Sequence, residues 1–156
     1  MSLGRDLFSA SQSNAVADDE TLLHGSCVAH DGRAVLIRGA SGTGKSALAL
    51  QLMAYGADLV ADDQTVVRRF GGDLYVSAPE TTRGLIEARG VGILQASPVS
   101  NARLHLVVDL DATEQDRLPH PREARILECA LPLLLGTEAP YFAAAVLQCL
   151  RHGRNA

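Results

Sequence analysis

An α/β fold with a mixed sheet and added β-hairpins is predicted by three features of this 156-residue sequence. The apolar run Ala34-Val35-Leu36-Ile37 leads through a glycine-rich loop into a segment of helical periodicity. A second strand-like run, Asp58-Leu59-Val60-Ala61, follows that helix directly. Two turn signals, Asp31-Gly32 and Phe70-Gly71-Gly72-Asp73, each lie between strand-like runs. One βαβ unit combined with hairpins implies a sheet that is only partly parallel. With 47% apolar residues, the chain suffices to bury the core of a single domain.

Residues 1–20 are mostly small or polar and follow no period, which predicts a flexible N-terminal tail and a single domain over 21–156. Asp31 and Gly32 suit the two positive-φ positions of a tight hairpin turn. Placing them there sets His30 against Arg33 and, counting back, His24 against Gly39. Leu48, Leu52 and Tyr55 recur at helical spacing over 46–55, and Gly56 is placed to end that helix in a left-handed cap. Thr65–Arg69 and Leu74–Ser77 form the arms of the second hairpin, and Arg103–Asp109 reads as a further strand. Segments 122–135 and 138–151 read as helices, the second ending near Gly153.

Composition narrows the function. A formal charge of −4, 4% aromatics and no Trp leave little for a nucleic-acid platform of cations and stacking rings. The longest apolar stretch, Ala130–Leu135, is interrupted by Pro132 and falls far short of the ~20 residues a membrane helix requires. Cys27, Cys129 and Cys149 are widely spaced in apolar contexts, so packing is the expected role. No cationic and apolar blocks of a secretory signal open the chain, and a cytoplasmic location is the expectation.

Gly39-Ala40-Ser41-Gly42-Thr43-Gly44-Lys45-Ser46 satisfies G-x-x-x-x-G-K-[ST] between a predicted strand and a predicted helix. In such a loop, backbone N–H groups and the helix N-terminus face phosphate oxygens, the lysine reaches the β- and γ-phosphates, and the hydroxyl ligates Mg²⁺. Asp62 and Asp63 end the strand after the P-loop helix, so a right-handed crossover brings them to the edge of the sheet beside the loop. Adjacent residues of a strand point to opposite faces, so both can face a phosphate only if the strand stops there. Asp109, closing Leu106-Val107-Val108, is a competing magnesium acid of Walker B shape. The residues alone leave a small NTPase using Asp109 and a non-catalytic nucleotide-binding regulator as alternatives to a kinase.

Gly39–Leu50 followed by Leu59-Val60-Ala61-Asp62-Asp63 resembles the catalytic core of HPr kinase/phosphorylase. Glu87-Ala88-Arg89-Gly90-Val91-Gly92-Ile93-Leu94 is similar to that family's signature, with Ala88 where a β-branched aliphatic is usual. His24-Gly25 and Asp116-Arg117-Leu118 also resemble family segments, and the likeness spans roughly 21–118. The resemblance implies a P-loop kinase domain of the phosphoenolpyruvate carboxykinase-like type, in a short form lacking the N-terminal domain. It further implies ATP-dependent phosphorylation of a serine on an HPr-type phosphocarrier protein, and phosphorolysis of the product as the reverse task. Carried over by motif, Asp63 is the acid/base residue with Asp62 in support, His24 tunes it, and Lys45 binds phosphates. Ser46 and Glu87 would then hold Mg²⁺, and Arg117 would offset charge on the transferring phosphoryl group. The family's Pro-Gly-Arg-Asn segment has only Pro119-His120-Pro121-Arg122-Glu123 as its counterpart, and a homo-oligomer, a hexamer by resemblance, is expected.

Overall fold

The computed structural model describes residues 16–156. The first strand, β1 (Asp19–His30), turns at Asp31-Gly32 into β2 (Arg33–Arg38). Both turn residues have positive φ, 51° and 78°, and the ladder runs from His30↔Arg33 to Gly25↔Arg38 in the predicted register. At His24 the strand leaves β2, and this residue pairs with Gln64 instead of Gly39. Because β1 begins at Asp19, the last two residues assigned to the tail belong to the sheet, whereas residues 1–15 lie outside the described part.

The P-loop leads into helix α1 (Lys45–Ala54), then β3 (Asp58–Ala61), β4 (Gln64–Phe70) and β5 (Asp73–Ser77). Strands β3 and β4 act as one interrupted strand, since both pair antiparallel with the same edge of β1, from Asp19↔Arg69 to His24↔Gln64 and again from Cys27↔Ala61. The interruption is Asp62-Asp63. As β2 and β3 are each antiparallel to β1, they run parallel to one another with β1 between them.

A short hairpin, β6 (Leu85–Ala88) and β7 (Gly92–Gln95), forms its own two-stranded sheet. The long strand β8 (Ala102–Thr113) pairs parallel with β2, and at its start antiparallel with β5. The pairing β2-β1-β4-β5-β8 therefore closes on itself through the β2/β8 ladder. The sheet ends in β10 (Cys129–Gly136), parallel to β8, and β9 (Arg122–Ile126), antiparallel to β10. Helix α2 (Phe142–His152) is the last element; it starts four residues later than the predicted 138–151 segment and ends one residue beyond it.

The segment 122–135 is not a helix. Pro132 has no N–H to give and would clash within a helix, and Arg122–Ile126 alternates, with Ala124 and Ile126 buried and Arg122, Glu123 and Arg125 exposed. The turn joining β9 to β10 puts Leu127 and Glu128 at φ 48° and 69°, positions usually filled by Asn or Gly. Without that signal the hairpin leaves little trace in the sequence.

The core has two layers. Cys27, Leu36, Val60, Val67, Val76, Leu104 and Val107 pack inside the strand ring, capped by Ala124, Ile126 and Leu131 of the last hairpin. On the outer face Val28, Val35, Ile37, Leu59 and Val108 pack against Leu48 and Leu52 of α1 and Val146, Leu147 and Leu150 of α2. Strand β2 separates these layers, which is why Ala34–Ile37 is a continuous apolar run and not an alternating one.

Cys27 is fully buried in the inner layer, and desolvation pushes its thiol far above the ordinary range. In a native sample at pH 8, iodoacetamide should label Cys129 before Cys27, and Cys27 should react only as denaturant unfolds the chain; peptide mass spectrometry reads the order.

Candidate functional site

The loop after β2 is shaped by its own hydrogen bonds. Gly42 and Gly44 stand at φ 88° and 100°, which a side chain would disfavour, and Gly44 opens α1. The carbonyl of Ala40 accepts both the Thr43 hydroxyl, at 2.7 Å, and the Lys45 ammonium, at 3.0 Å. Lys45 is 7% exposed, so its charge lies at the base of the loop. The N–H of Ala40 donates to Asp111 Oδ1 at 2.8 Å, which ties the start of the loop to the neighbouring strand β8.

Asp62 and Asp63 occupy the break between β3 and β4, and the break separates their environments. The Gln64 N–H returns to the Asp62 carbonyl at 2.7 Å, across an Asp63 at φ 68°, giving a γ-turn. The Asp63 carbonyl is held by the Gly25 N–H at 2.8 Å, so β1 fixes the turn from the side. Asp62 points inward, 7% exposed, and accepts the Ser26 hydroxyl at 2.7 Å, the Ser46 hydroxyl at 2.6 Å and the Glu87 N–H at 3.0 Å. Asp63 points outward with its side chain 71% exposed, and its Oδ1 lies 3.4 Å from His24 Nδ1.

A cleft of about 560 Å³ is lined by His24, Ser41, Gly42, Gly44, Lys45, Ser46, Asp63 and Glu87. The structure thus brings together the loop, the outward aspartate, the histidine and the glutamate. Arg89 and Val91, at the turn of the β6/β7 hairpin, complete one wall. Glu87 is exposed on β6, its carboxylate accepting no hydrogen bond from a described residue.

One acid, Asp109, differs from its reading as a competing magnesium acid. Asp109 directs Oδ2 to Arg38 Nε at 3.2 Å and Oδ1 to the Asp111 N–H at 2.8 Å, while the Ser46 hydroxyl is taken by Asp62. The acid in contact with the P-loop serine is therefore Asp62, and Asp109 braces the two strands. Ser26 and Asp111, which hold Asp62 and Ala40, were not identified from sequence. A buried serine and an aspartate near a strand end carry no motif; the register of β1 on β3 places Ser26, and that of β8 on β2 places Asp111.

Arg117 is not among the residues that line the cleft. It lies exposed in the 114–121 loop, where it bonds no described residue. Arg122 grips Glu114 through two bonds, at 3.1 and 3.0 Å, which hold the Glu114 carboxyl below its usual range, and Arg154 donates to the Pro119 carbonyl at 2.8 Å. These contacts draw the loop toward the C-terminal end of α2.

A strand, a glycine-rich loop and a helix in this order, with acids on a strand beside the loop, define the P-loop class of α/β proteins. The family model described as the HPr Serine kinase C-terminal domain matches residues 15–132, and the chain belongs to this family. An HPr kinase/phosphorylase of Exiguobacterium sp. is 37% identical over 128 residues, covering 73% of this chain and 41% of that protein. One of Brevibacillus brevis is 38% identical over 144 residues, covering 86% and 44% respectively. The chain thus spans less than half the length of these curated relatives. Its fold is similar to that of the Hpr(Ser) kinase/phosphatase from Coxiella burnetii, with a TM-score of 0.71, 24% identity, and coverage of 84% of this chain and 88% of that one. The α/β fold with a mixed sheet is accordingly that of the kinase domain. Among the described residues, no helix is long and apolar enough to cross a membrane.

Replacing Asp62 by Ala should leave the buried Ser26 hydroxyl and the Glu87 N–H without an acceptor and cost about 1–3 kcal/mol of stability, read from urea unfolding. Asp62→Asn, which keeps an acceptor oxygen, should cost less.

Proposed function

We propose that this chain is a protein-serine kinase centre that transfers the γ-phosphoryl group of ATP to a serine of an HPr-type phosphocarrier protein in the cytoplasm. The observation that carries this reading is the paired placement of Asp63 and the phosphate loop on one cleft, with the acid turned outward toward an incoming alcohol. A hydrolase needs no such accessible acceptor face; a kinase does.

The residues divide the work. Loop N–H groups from Gly39 to Ser46, with the Lys45 ammonium, cradle the polyphosphate. Asp63 accepts the serine proton as the serine oxygen bonds to the γ-phosphorus and the bond from that phosphorus to the bridging oxygen breaks, releasing ADP. His24, 3.4 Å away, steadies the carboxylate. In phosphorolysis, an oxygen of inorganic phosphate bonds to the phosphoserine phosphorus as the bond from that phosphorus to the serine oxygen breaks; protonated Asp63 gives its proton to the departing serine oxygen, and pyrophosphate is the product. Arg117, expected to offset phosphoryl charge, would act from the 114–121 loop, outside the cleft wall.

The Ser46 hydroxyl and the Glu87 carboxylate offer hard oxygen ligands beside the phosphate site, with buried Asp62 accepting from that hydroxyl behind them; this donor set suits Mg²⁺, which takes few protein ligands and completes its shell with phosphates and water. When bound, Mg²⁺ would neutralise charge on the transferring group. The family resemblance makes a homo-oligomer, a hexamer, the expected assembly.

Purified protein with HPr and labelled ATP should yield phosphoserine, and Asp63→Asn should lower kcat by about 10²–10⁴ with nucleotide affinity nearly unchanged. Asp109→Asn, which retains an acceptor for Arg38, should cost far less. Hydrolysis without an acceptor that survives Asp63→Asn but not Asp109→Asn would establish an NTPase instead. Nucleotide binding with no turnover under any condition would establish a regulator.

A further inference from the structure

A second cavity, about 640 Å³, lies at the other end of β2 from the phosphate loop. Arg33 opens that strand and Arg38 ends it before the loop, so the two sites are separated by roughly 20 Å of extended chain. Leu106 of β8, Leu133 and Leu134 of β10, and Leu150 of α2 give the cavity apolar walls. Arg33 of β2, Arg122 of β9 and Arg154, just after α2, also line it, together with His105, His120 and His152.

The side-chain charge in this cavity is one-sided. The chain has 18 Asp and Glu against 14 Lys and Arg, yet no Asp or Glu side chain lines the cavity, whereas three of the five histidines do; the α-carboxylate of Ala156, also in the lining, forms no ion pair with a described residue. Glu114 neutralises Arg122 from outside the lining. Among the described residues, Arg33 and Arg154 bond only backbone carbonyls, those of Arg151 at 3.2 Å and Pro119 at 2.8 Å. A carbonyl accepts a hydrogen bond without cancelling the charge, and a guanidinium keeps its proton at any physiological pH. Two exposed cations with no ion-pair partner, at the edge of apolar walls, give the concave space a positive field. His105, with Nδ1 3.1 Å from the Arg103 carbonyl, adds a fixed imidazole to the rim.

We propose that this cavity is a binding site for a small organic anion, a carboxylate or phosphate-ester headgroup on a hydrocarbon body. Arg33 and Arg154 take the headgroup, and the leucines of β8, β10 and α2 take the body. Its volume falls in the range of small-molecule sites, which combine mostly apolar walls with a few placed polar groups. The site stands apart from the kinase reading and shares no lining residue with the phosphate cleft.

The histidines report on it directly. Hexanoate, phenyl phosphate and 1-hexanol are titrated into the intact protein while the imidazole signals are followed by NMR. His105, His120 and His152 should shift saturably with at least one of the anions, with Kd on the order of 1 mM or tighter, and hexanol should bind at least about tenfold more weakly. The anion that binds more tightly identifies the headgroup. Arg33→Gln and Arg154→Gln should each weaken binding by about fivefold or more, with the His24 and His30 signals unmoved as a check on the fold. Shifts confined to His24 would place the anion on the phosphate loop. Equal binding of hexanol, unsaturable drift, or indifference to both arginine changes would likewise overturn the proposal.

Discussion

One buried carboxylate holds the functional end of this molecule together. Asp62 accepts hydrogen bonds from β1 through Ser26, from the start of α1 through Ser46, and from β6 through the Glu87 N–H. Three elements that are distant in sequence are thereby fixed to the break between β3 and β4. A buried carboxylate is tolerable only when its oxygens are satisfied, and this one has three donors aimed at it. The outward position of Asp63 follows from the inward position of Asp62, because the γ-turn between them depends on the β1 register that also supplies Ser26.

The sheet makes that register rigid. Strand β1 is paired on one edge with β2 and on the other with β3 and β4, so it has no free length along which to slip. From Gly25 to Ala29 every residue is buried, with the strand ring on one side and the helices on the other, and a shift by one residue would exchange the two layers of the core. His24 lies at the point where this burial ends. Its ring is therefore held near the cleft by backbone pairing, with the 3.4 Å contact to Asp63 a consequence of that pairing and not its cause.

What the sequence disclosed, and what it withheld, follows the range of the interactions involved. The Asp31-Gly32 turn, the glycine loop and α1 rest on local chemistry, such as positive φ, a cap or a helical period, and these are where expectation and structure agree. The paired acids were also legible, because a strand after a P-loop helix has few places to go. The β9/β10 hairpin was not, since its turn uses Leu127 and Glu128 where Asn and Gly would have announced it. The contacts of Ser26 and Asp111, and the distance of Arg117 from the cleft, were hidden for another reason. Each is set by pairing or tethering across many tens of residues, and no local pattern encodes it.

The shared use of the Ala40 carbonyl has a consequence for how Lys45 is presented. The ammonium gives one of its three N–H donors to its own loop, and both the hydroxyl and the N–H of Thr43 share the same oxygen. Two donors are left over, and if the lysine swings away the carbonyl keeps the threonine, so neither partner is stranded. The bond acts as a guy-rope: a long, flexible side chain is aimed in advance, and less of its freedom is left to lose when a further acceptor is met.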